Sequence, residues 1–267
     1  MAKKVLFINQ EITPYVSKSE MSVMGGMMPA KMQEAGFEIR TFMPKWSSIN
    51  ERRGQLHEVI RLSGMNLIID DNDHQLIIKV ASIPAARIQI YFIDNDDFFA
   101  RKAVLTDADG KAFDDNNERM VFFARGVLET VKKLRWTPDV VHCHGWFSAI
   151  APIYLRNMFA DDPIFANTKI VVSLYDDKFA APLGAIAPLV EGEGMGDKNL
   201  PIIDTPSYEN LYRYVMNYVD GVVAASPKAD AAILDLARTS GKAVMDYMSP
   251  DEEGFYENYN RFYENLF

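Results

Sequence analysis

Short apolar runs alternate along the chain with segments in which apolar residues recur at helical spacing. The continuous apolar run at residues 5–8 predicts a strand buried on both faces. Methionines recur at helical spacing between residues 21 and 35, and Gly36 follows them, which predicts a helix that ends there. Residues 37–43 alternate between apolar and polar and predict a second strand. This order predicts a strand–helix–strand unit at the start of the chain.

The same alternation continues after one interruption. Between residues 55 and 94 the pattern changes to short alternating strands with a polar turn at 70–73, which predicts a small antiparallel insertion with strands at 58–62, 75–80 and 88–93. The elements predicted next are a helix at 117–133, a strand at 140–142, a helix at 147–159, a strand at 170–174, a helix at 208–218, a strand at 221–225 and a helix that starts at Ser226-Pro227. The predicted fold class is therefore α/β, with a doubly wound and mostly parallel sheet. Residues 180–206 are rich in Gly and Pro and predict a long loop.

The charge balance narrows the classes of partner. The chain of 267 residues has 28 Lys plus Arg against 37 Asp plus Glu, a net charge of −9. We therefore expect no binding to nucleic acid or to anionic membrane surfaces. The negative net charge is compatible with an uncharged partner or with a small anion held in a local basic pocket. Cys143 is the single cysteine, so no intramolecular disulfide is expected. The first apolar run is too short for a secretory signal and no apolar run is long enough to cross a bilayer, so we expect a cytoplasmic protein.

Polar side chains concentrate in three loops that follow predicted parallel strands, at residues 9–19, 142–146 and 175–179. Ligands bind at such strand ends in parallel α/β sheets. The densest cluster is His142-Cys143-His144-Gly145-Trp146. A metal site is not expected, because adjacent His-Cys-His is poor ligand spacing and the chain has only four histidines. Two interpretations stay open: one histidine donates a hydrogen bond to a substrate, or both hold the loop in place, and composition alone favours the second.

The last predicted helix carries an aromatic stripe. Its members share one helical face and are Phe255, Tyr256, Tyr259, Phe262, Tyr263, Leu266 and Phe267. An exposed stripe of this kind would aggregate, so the helix is expected to pack on its own domain, which costs no association entropy. The predicted organisation is a main domain at 1–248 and this helical segment at 249–267.

Five segments share their residues and spacing with one known family. They are residues 4–8 followed by Glu11 and Tyr15 (KVLFI, then EITPY), residues 28–44, residues 115–123 (DNNERMVFF), residues 138–155 (PDVVHCHGW, then APIYL) and residues 221–227. Together they resemble the N-terminal half of bacterial glycogen synthases and plant starch synthases, the GT-B-fold glycosyltransferases that use ADP-glucose. The resemblance runs from about residue 4 to about residue 236.

The resemblance implies a single Rossmann-like GT-B lobe and a role in α-1,4-glucan elongation, with glucose transferred from ADP-glucose under retention of configuration. The implied catalytic residues are His144 and Asp115. The implied substrate-binding residues are Glu11, Tyr15, Asn116, Arg119, His142 and Trp146. Lys18 is a further candidate, because it lies one place after the position of a lysine of the family. No cofactor is implied, because ADP-glucose would be a substrate. The implied partners are an α-glucan or maltooligosaccharide and, as a further option, a separate chain that provides a donor domain.

The sequence departs from the family pattern at the donor side. The family's Lys-x-Gly-Gly-Leu loop, which approaches the donor phosphates, aligns with residues 17–21, where Ser17 replaces the lysine and Ser19 and Glu20 replace the two glycines. The carboxylate of Glu20 at this position would repel the negatively charged diphosphate of the donor. The family's His-Asn pair after the following strand reads Tyr175-Asp176. The C-terminal nucleotide-binding lobe of the family is also expected to be absent.

Two functions follow from these observations. The first is a glucosyltransferase that acts alone or with a second chain. The second is a non-catalytic protein that binds glucan or regulates a partner. Transfer in this family requires donor phosphates held between two lobes, so we expect this chain to be inactive as an isolated lobe.

Overall fold

The computed structural model describes residues 3–84, 86–190, 204 and 206–267. Its strands are β1 (Lys4–Asn9), β2 (Glu38–Pro44), β3 (His57–Glu58), β4 (Met65–Ile69), β5 (Asn72–Ile83), β6 (Ile88–Asp94), β7 (Val140–His144), β8 (Lys169–Leu174), β9 (Gly221–Ala224) and β10 (Ala243–Met245). Its α-helices are α1 (Glu20–Glu34), α2 (Glu51–Gly54), α3 (Asp96–Phe99), α4 (Asn116–Lys133), α5 (Ala151–Arg156), α6 (Ala187–Val190), α7 (Tyr208–Val215), α8 (Ala231–Thr239) and α9 (Phe255–Glu264).

The described strands form one sheet in the order β10-β9-β8-β7-β1-β2-β6-β5-β3, and β4 pairs with β5. From β10 to β6 every neighbouring pair is parallel. β1 lies at the centre, where Val5 pairs with Ile39 on one side and Val140 on the other. Continuous apolar runs suit strands that are covered on both faces. The predicted α/β class with a mostly parallel, doubly wound sheet is confirmed.

The antiparallel insertion is joined to the main sheet. β5 pairs antiparallel with β3, β4 and β6, while β6 also pairs in parallel with β2. The β4–β5 turn places Asp70 and Asp71 at φ 48° and 59°, the left-handed region that aspartate tolerates in tight hairpins. The predicted strand at 58–62 is wrong beyond Glu58, because Leu62 and Ser63 belong to a turn that bonds back to Val59.

Two predicted helices also differ from the structure. In place of the helix predicted at 147–159 the chain forms a short 3₁₀ turn at Trp146–Ser148 and then α5. Residues 147–155 are all buried, so the spacing of the apolar residues there does not mark one face of a helix. The helix expected at Ser226-Pro227 begins instead at Ala231, where Asp230 accepts hydrogen bonds from two backbone N–H groups of the first turn. The long loop predicted at 180–206 contains α6, and its residues 191–203 and 205 lie outside the described residues.

The two faces of the sheet pack against different helices. Val5 and Phe7 belong to a cluster with the methionines of α1 and the aromatic residues of α9, while Leu6 and Ile8 belong to a larger cluster with α4, α5 and α7. The alternation follows from the two-residue repeat of a strand. None of the helices that the structure describes is both long and apolar enough to cross a membrane.

The aromatic helix α9 lies on the chain's own sheet. Phe255, Tyr259, Phe262 and Tyr263 are buried there, against α1 and the neighbouring strands. Gly221 of β9 permits this approach, since a Cβ at that position would lie 2.7 Å from the Phe262 ring. The division of the chain into domains at residue 248 stays a prediction.

Candidate functional site

A cavity of about 520 Å³ opens at the carboxyl ends of β1, β7 and β8. Its lining comes from the three loops that follow these strands, from the start of α1 and from the segment before α4. These residues are Gln10, Glu11, Ser19, Glu20, Met21, Leu105, Trp146, Tyr175, Asp176, Asp177 and Lys178. The sheet topology therefore brings the three polar loops singled out in the sequence to one place.

Two glycines of α1 hold the β1–α1 loop close to the helix. A Cβ on Gly25 would lie 2.3 Å from the carbonyl oxygen of Glu11, and one on Gly26 would lie 2.7 Å from that of Thr13. The Thr13 N–H also donates to the Ser22 carbonyl at 2.8 Å. The helix backbone therefore fixes the position of Glu11 at the cavity.

The first turn of α1 is closed by its own side chains. The Ser19 hydroxyl accepts from the Ser22 N–H at 2.9 Å, and the Ser22 hydroxyl accepts from the Ser19 N–H at 2.8 Å. The Ser19 hydroxyl also donates to the Glu11 carboxylate at 2.6 Å. Glu20 adds a second carboxylate in the same turn. The positive end of the helix dipole is thus already compensated within the protein.

Asp177 connects the cavity lining to α7. Its carboxylate accepts a hydrogen bond from the Trp146 backbone N–H at 2.9 Å and another from the Tyr208 hydroxyl at 2.8 Å. Desolvation raises the pKa of Asp177 above its ordinary value, against the opposing effect of these donors. This carboxylate positions Trp146 in the lining.

His144 lies beneath the cavity and not in its lining. The side chain is fully buried, and its Nδ1 lies 2.7 Å from the hydroxyl of Tyr175, which does border the cavity. Its Nε2 has no hydrogen-bond partner among the described residues. Burial lowers the pKa of His144 to about 3, so the imidazole is neutral near pH 7.

His142 has a structural environment. It is fully buried, with Nδ1 2.6 Å from the Tyr263 hydroxyl of α9 and Nε2 2.8 Å from the Ser173 hydroxyl. Burial, and to a smaller extent His144, lowers its pKa well below the ordinary value. Both ring nitrogens are satisfied inside the protein, so His142 does not reach the cavity as a substrate-binding residue would. Its geometry matches the second sequence interpretation, in which histidines hold the fold in place.

The segment that contributes Leu105 is held in place by the side chains of Asp115, Asn116 and Arg119. Asp115 forms a two-point ion pair with Arg101, and the Asn116 amide donates to the Leu105 carbonyl at 2.9 Å. The buried Arg119 donates to the Phe98 carbonyl at 2.8 Å and to Asn116 Oδ1 at 2.7 Å.

Desolvation lowers the pKa of Arg119 to about 10. Its guanidinium lies within 6 Å of three ring centroids, those of Trp46, Phe99 and Phe113. None of the three residues Asp115, Asn116 and Arg119 borders the cavity, although Asp115 is placed near the end of that segment.

The remaining predicted site residues are divided among three places. Glu11 and Trp146 border the main cavity. Tyr15 borders a separate cavity of about 240 Å³ between the β1–α1 loop and α2. Lys18 is exposed and has no hydrogen bond or ion pair among the described residues. Their roles in substrate binding stay predictions.

One lining residue, Asp177, and the residue that supports it, Tyr208, were missed as individual residues. Asp177 lies within the loop at 175–179 that the strand pattern indicated, so a signal for it existed. Tyr208 supports Asp177 from a helix 31 residues later, and no local pattern identifies such a contact.

The cavity is electrostatically negative. Glu11, Glu20, Asp176 and Asp177 line it, and Lys178 is engaged by Glu209 and Asp230 at 2.7 and 3.5 Å. Such a lining accepts hydrogen bonds from hydroxyl groups and opposes phosphate groups. Across the described part of the chain, no group of three His, Cys, Asp or Glu side chains is placed to hold a metal ion.

Comparisons with known proteins agree with the fold and with the sequence motifs. The family profile described as starch synthase catalytic domain matches residues 4–243. A protein named glycogen synthase from Chlorobium limicola is 36% identical over 174 residues, and one from Chlorobaculum tepidum is 34% identical over 174 residues. Each alignment spans 65% of this chain and only 36% of the relative, so the chain matches about a third of the length of these proteins.

A solved structure shows the same fold. The catalytic domain of starch synthase IV from Arabidopsis thaliana, bound to ADP and acarbose, superposes with a TM-score of 0.73 at 15% identity. The match covers 93% of this chain and 52% of that one. Since the family profile matches most of the chain, the chain belongs to the glycogen and starch synthase family of glycosyltransferases.

Proposed function

We propose that this chain binds the end of an α-1,4-glucan in the main cavity and does not by itself transfer glucose. The observation that carries the proposal is the first turn of α1. The resemblance aligns Ser19 and Glu20 with the two glycines that the family's loop presents to the donor phosphates, and here the Ser19 hydroxyl is already engaged by Ser22 and Glu11. The cavity is retained, while the diphosphate contact is replaced by carboxylates.

The binding half of the proposal rests on the chemistry of the lining. Carboxylates of Glu11, Glu20 and Asp176 are acceptors for the hydroxyl groups that a glucan presents in every ring. Trp146 and Tyr175 also border the cavity, although both side chains are almost fully buried. A volume of about 520 Å³ lies in the range of roughly 300–1,000 Å³ for small-molecule sites.

The non-catalytic half rests on electrostatics and access. Stabilising a leaving diphosphate requires preorganised donors or cations, and the described cavity lining offers Lys178, which is already paired with two carboxylates. His144, the histidine that the family resemblance places near the transferred sugar, is sealed beneath Tyr175. Both features oppose transfer by this lobe alone.

Calorimetric titration with maltohexaose tests the binding half. We expect saturable binding that weakens in Glu20→Ala, since Glu20 borders the cavity and is not required by the capping hydrogen bonds. Glu34→Ala at the opposite end of α1 is the matched control and should bind as the unmodified chain does. A chain that shows no saturable binding to maltohexaose contradicts this half.

Incorporation of labelled glucose from ADP-glucose into glycogen tests the other half. We expect no turnover by the chain alone. The triple variant Ser17→Lys, Ser19→Gly, Glu20→Gly restores the family loop and should gain measurable ADP binding. Robust turnover by the unmodified chain refutes the proposal, and turnover only after a donor lobe is added supports a two-chain enzyme instead.

A further inference from the structure

The smaller cavity lies beside the main cavity, at the same edge of the sheet. It is enclosed by the β1–α1 loop, through Pro14 and Tyr15, and by the segment that follows β2, through Ser48, Asn50 and Arg53. β1 and β2 are neighbours in the sheet, and both loops leave the carboxyl ends of their strands. The two cavities therefore follow one another along the carboxyl edge.

The walls of the smaller cavity are fixed before any ligand binds. The Tyr15 ring meets the Phe92 ring edge to face at 4.9 Å, and its hydroxyl donates to the Ser82 carbonyl at 3.3 Å. On the opposite wall Asn50 Oδ1 accepts from the Arg53 backbone N–H at 2.8 Å. An aromatic ring and the first turn of α2 are thus held facing the same space.

Arg53 supplies hydrogen-bond donors that no internal group uses. Its guanidinium is exposed, and it forms no hydrogen bond or ion pair within the described residues. This contrasts with Lys178 in the main cavity, which two carboxylates engage. The main cavity thus offers mainly acceptors, whereas the smaller cavity offers donors. A sugar hydroxyl both donates and accepts, so a single oligosaccharide suits both.

The distance between the cavities fits one short chain of sugar units. Glu11 borders the main cavity and Pro14 borders the smaller one. Three peptide steps separate them, so their Cα atoms are at most about 11 Å apart. A linear glucan with its end in the main cavity can extend over this distance.

We propose that the smaller cavity is a second subsite for the same glucan, in which Tyr15 and Arg53 hold a glucosyl unit further from the chain end. This inference rests on the proposed function, since it requires the end of the glucan in the main cavity. Its volume of about 240 Å³ is below the range for drug-sized ligands, which fits a single sugar unit. The protein then binds long glucans more tightly than short ones.

Titrations with maltotriose and maltoheptaose test the proposal. The unmodified chain should bind maltoheptaose more tightly than maltotriose. Arg53→Ala should weaken maltoheptaose binding by about tenfold, the effect of losing a charged hydrogen bond, and should change maltotriose binding by less than about twofold. Arg52→Ala, on the same exposed helix but outside the cavity lining, is the matched control and should leave both affinities unchanged.

The other outcomes separate this inference from the proposed function. If the unmodified chain binds both sugars equally, or if Arg53→Ala weakens both equally, the second subsite is refuted while glucan binding stands. If neither sugar binds, both proposals fail together. If inorganic phosphate binds to the unmodified chain but not to Arg53→Ala, and leaves the affinity for maltoheptaose unchanged, the smaller cavity is an anion site and the subsite is refuted.

Discussion

Removal of the Tyr175 side chain should expose His144 to the main cavity. Tyr175 is almost fully buried, borders the cavity and places its hydroxyl 2.7 Å from His144 Nδ1. The pKa of His144 is lowered to about 3 from its ordinary value of 6.5, and burial is the cause. One pKa unit corresponds to about 1.4 kcal/mol, so the lowered pKa means that the buried site disfavours the charged imidazole by roughly 5 kcal/mol. Most of this cost disappears once water reaches the ring.

We therefore expect Tyr175→Ala to raise the pKa of His144 towards the ordinary value of histidine. Tyr175→Phe is the matched control, because it removes the hydroxyl and keeps the ring, so the pKa should stay strongly lowered. The assay is an NMR titration of the histidine ring protons, with the His144 signal assigned by its loss in His144→Gln. Modification by diethylpyrocarbonate gives a second readout and should become faster in Tyr175→Ala alone.

Two results would refute this reasoning. An unchanged His144 pKa in Tyr175→Ala would show that other groups seal the histidine. An equal rise in Tyr175→Phe would show that the hydrogen bond, and not the ring, keeps water out. Loss of the ring should also lower the free energy of unfolding by about 3–5 kcal/mol, as for other buried aromatic residues, so denaturant unfolding must show that the variant is folded during the titration.

Three further predictions concern stability. The buried His142 and His144 have lowered pKa values, so the unfolded chain binds more protons than the folded chain below pH 6.5. The free energy of unfolding should therefore be highest above that pH and should fall by up to about 1.4 kcal/mol per histidine for each pH unit below it. Urea unfolding measures this dependence, and a pH-independent value would contradict it. Tyr263→Phe removes a buried hydrogen-bond partner of His142 and should lower the free energy of unfolding by about 1–3 kcal/mol, whereas Tyr256→Phe on the same helix should leave it nearly unchanged, as measured by thermal unfolding. Gly25→Ala places a methyl group 2.3 Å from a backbone oxygen and should lower the free energy of unfolding by roughly 1–3 kcal/mol. Unchanged urea unfolding would show that the β1–α1 loop moves to make room for the methyl group.

Much of the fold could be predicted from local pattern. The apolar run at residues 5–8 identifies β1, and the helical spacing after residue 117 identifies α4 to within one residue at its start. These signals work because a strand covered on both faces and a long amphipathic helix each have one dominant arrangement of side chains. The helix prediction at 147–159 failed because residues 147–155 are all buried, so apolar residues do not mark one face of a helix there.

The site was predictable in position and less so in detail. The rule that ligands bind at carboxyl ends of parallel strands located the cavity, with Glu11 and Trp146 in its lining. The hydrogen-bond partners that determine the protonation and orientation of each site side chain could not be predicted from the neighbouring sequence. Tyr263 lies 121 residues from His142, and Tyr208 lies 31 residues from Asp177. Such pairs depend on how distant elements are placed, which a single sequence does not record.

The hydrogen bond between Tyr263 and His142 has a consequence for biosynthesis. The face of the sheet that contains Val5 and Phe7 is covered partly by α1 and partly by α9, so the part under α9 stays uncovered until the ribosome has released the residues of that helix. Until then this apolar surface is exposed to chaperones and to other nascent chains. Ribosome-bound chains that stop short of Phe255 should be protease-sensitive, and the protected state should arise only as the helix leaves the exit tunnel.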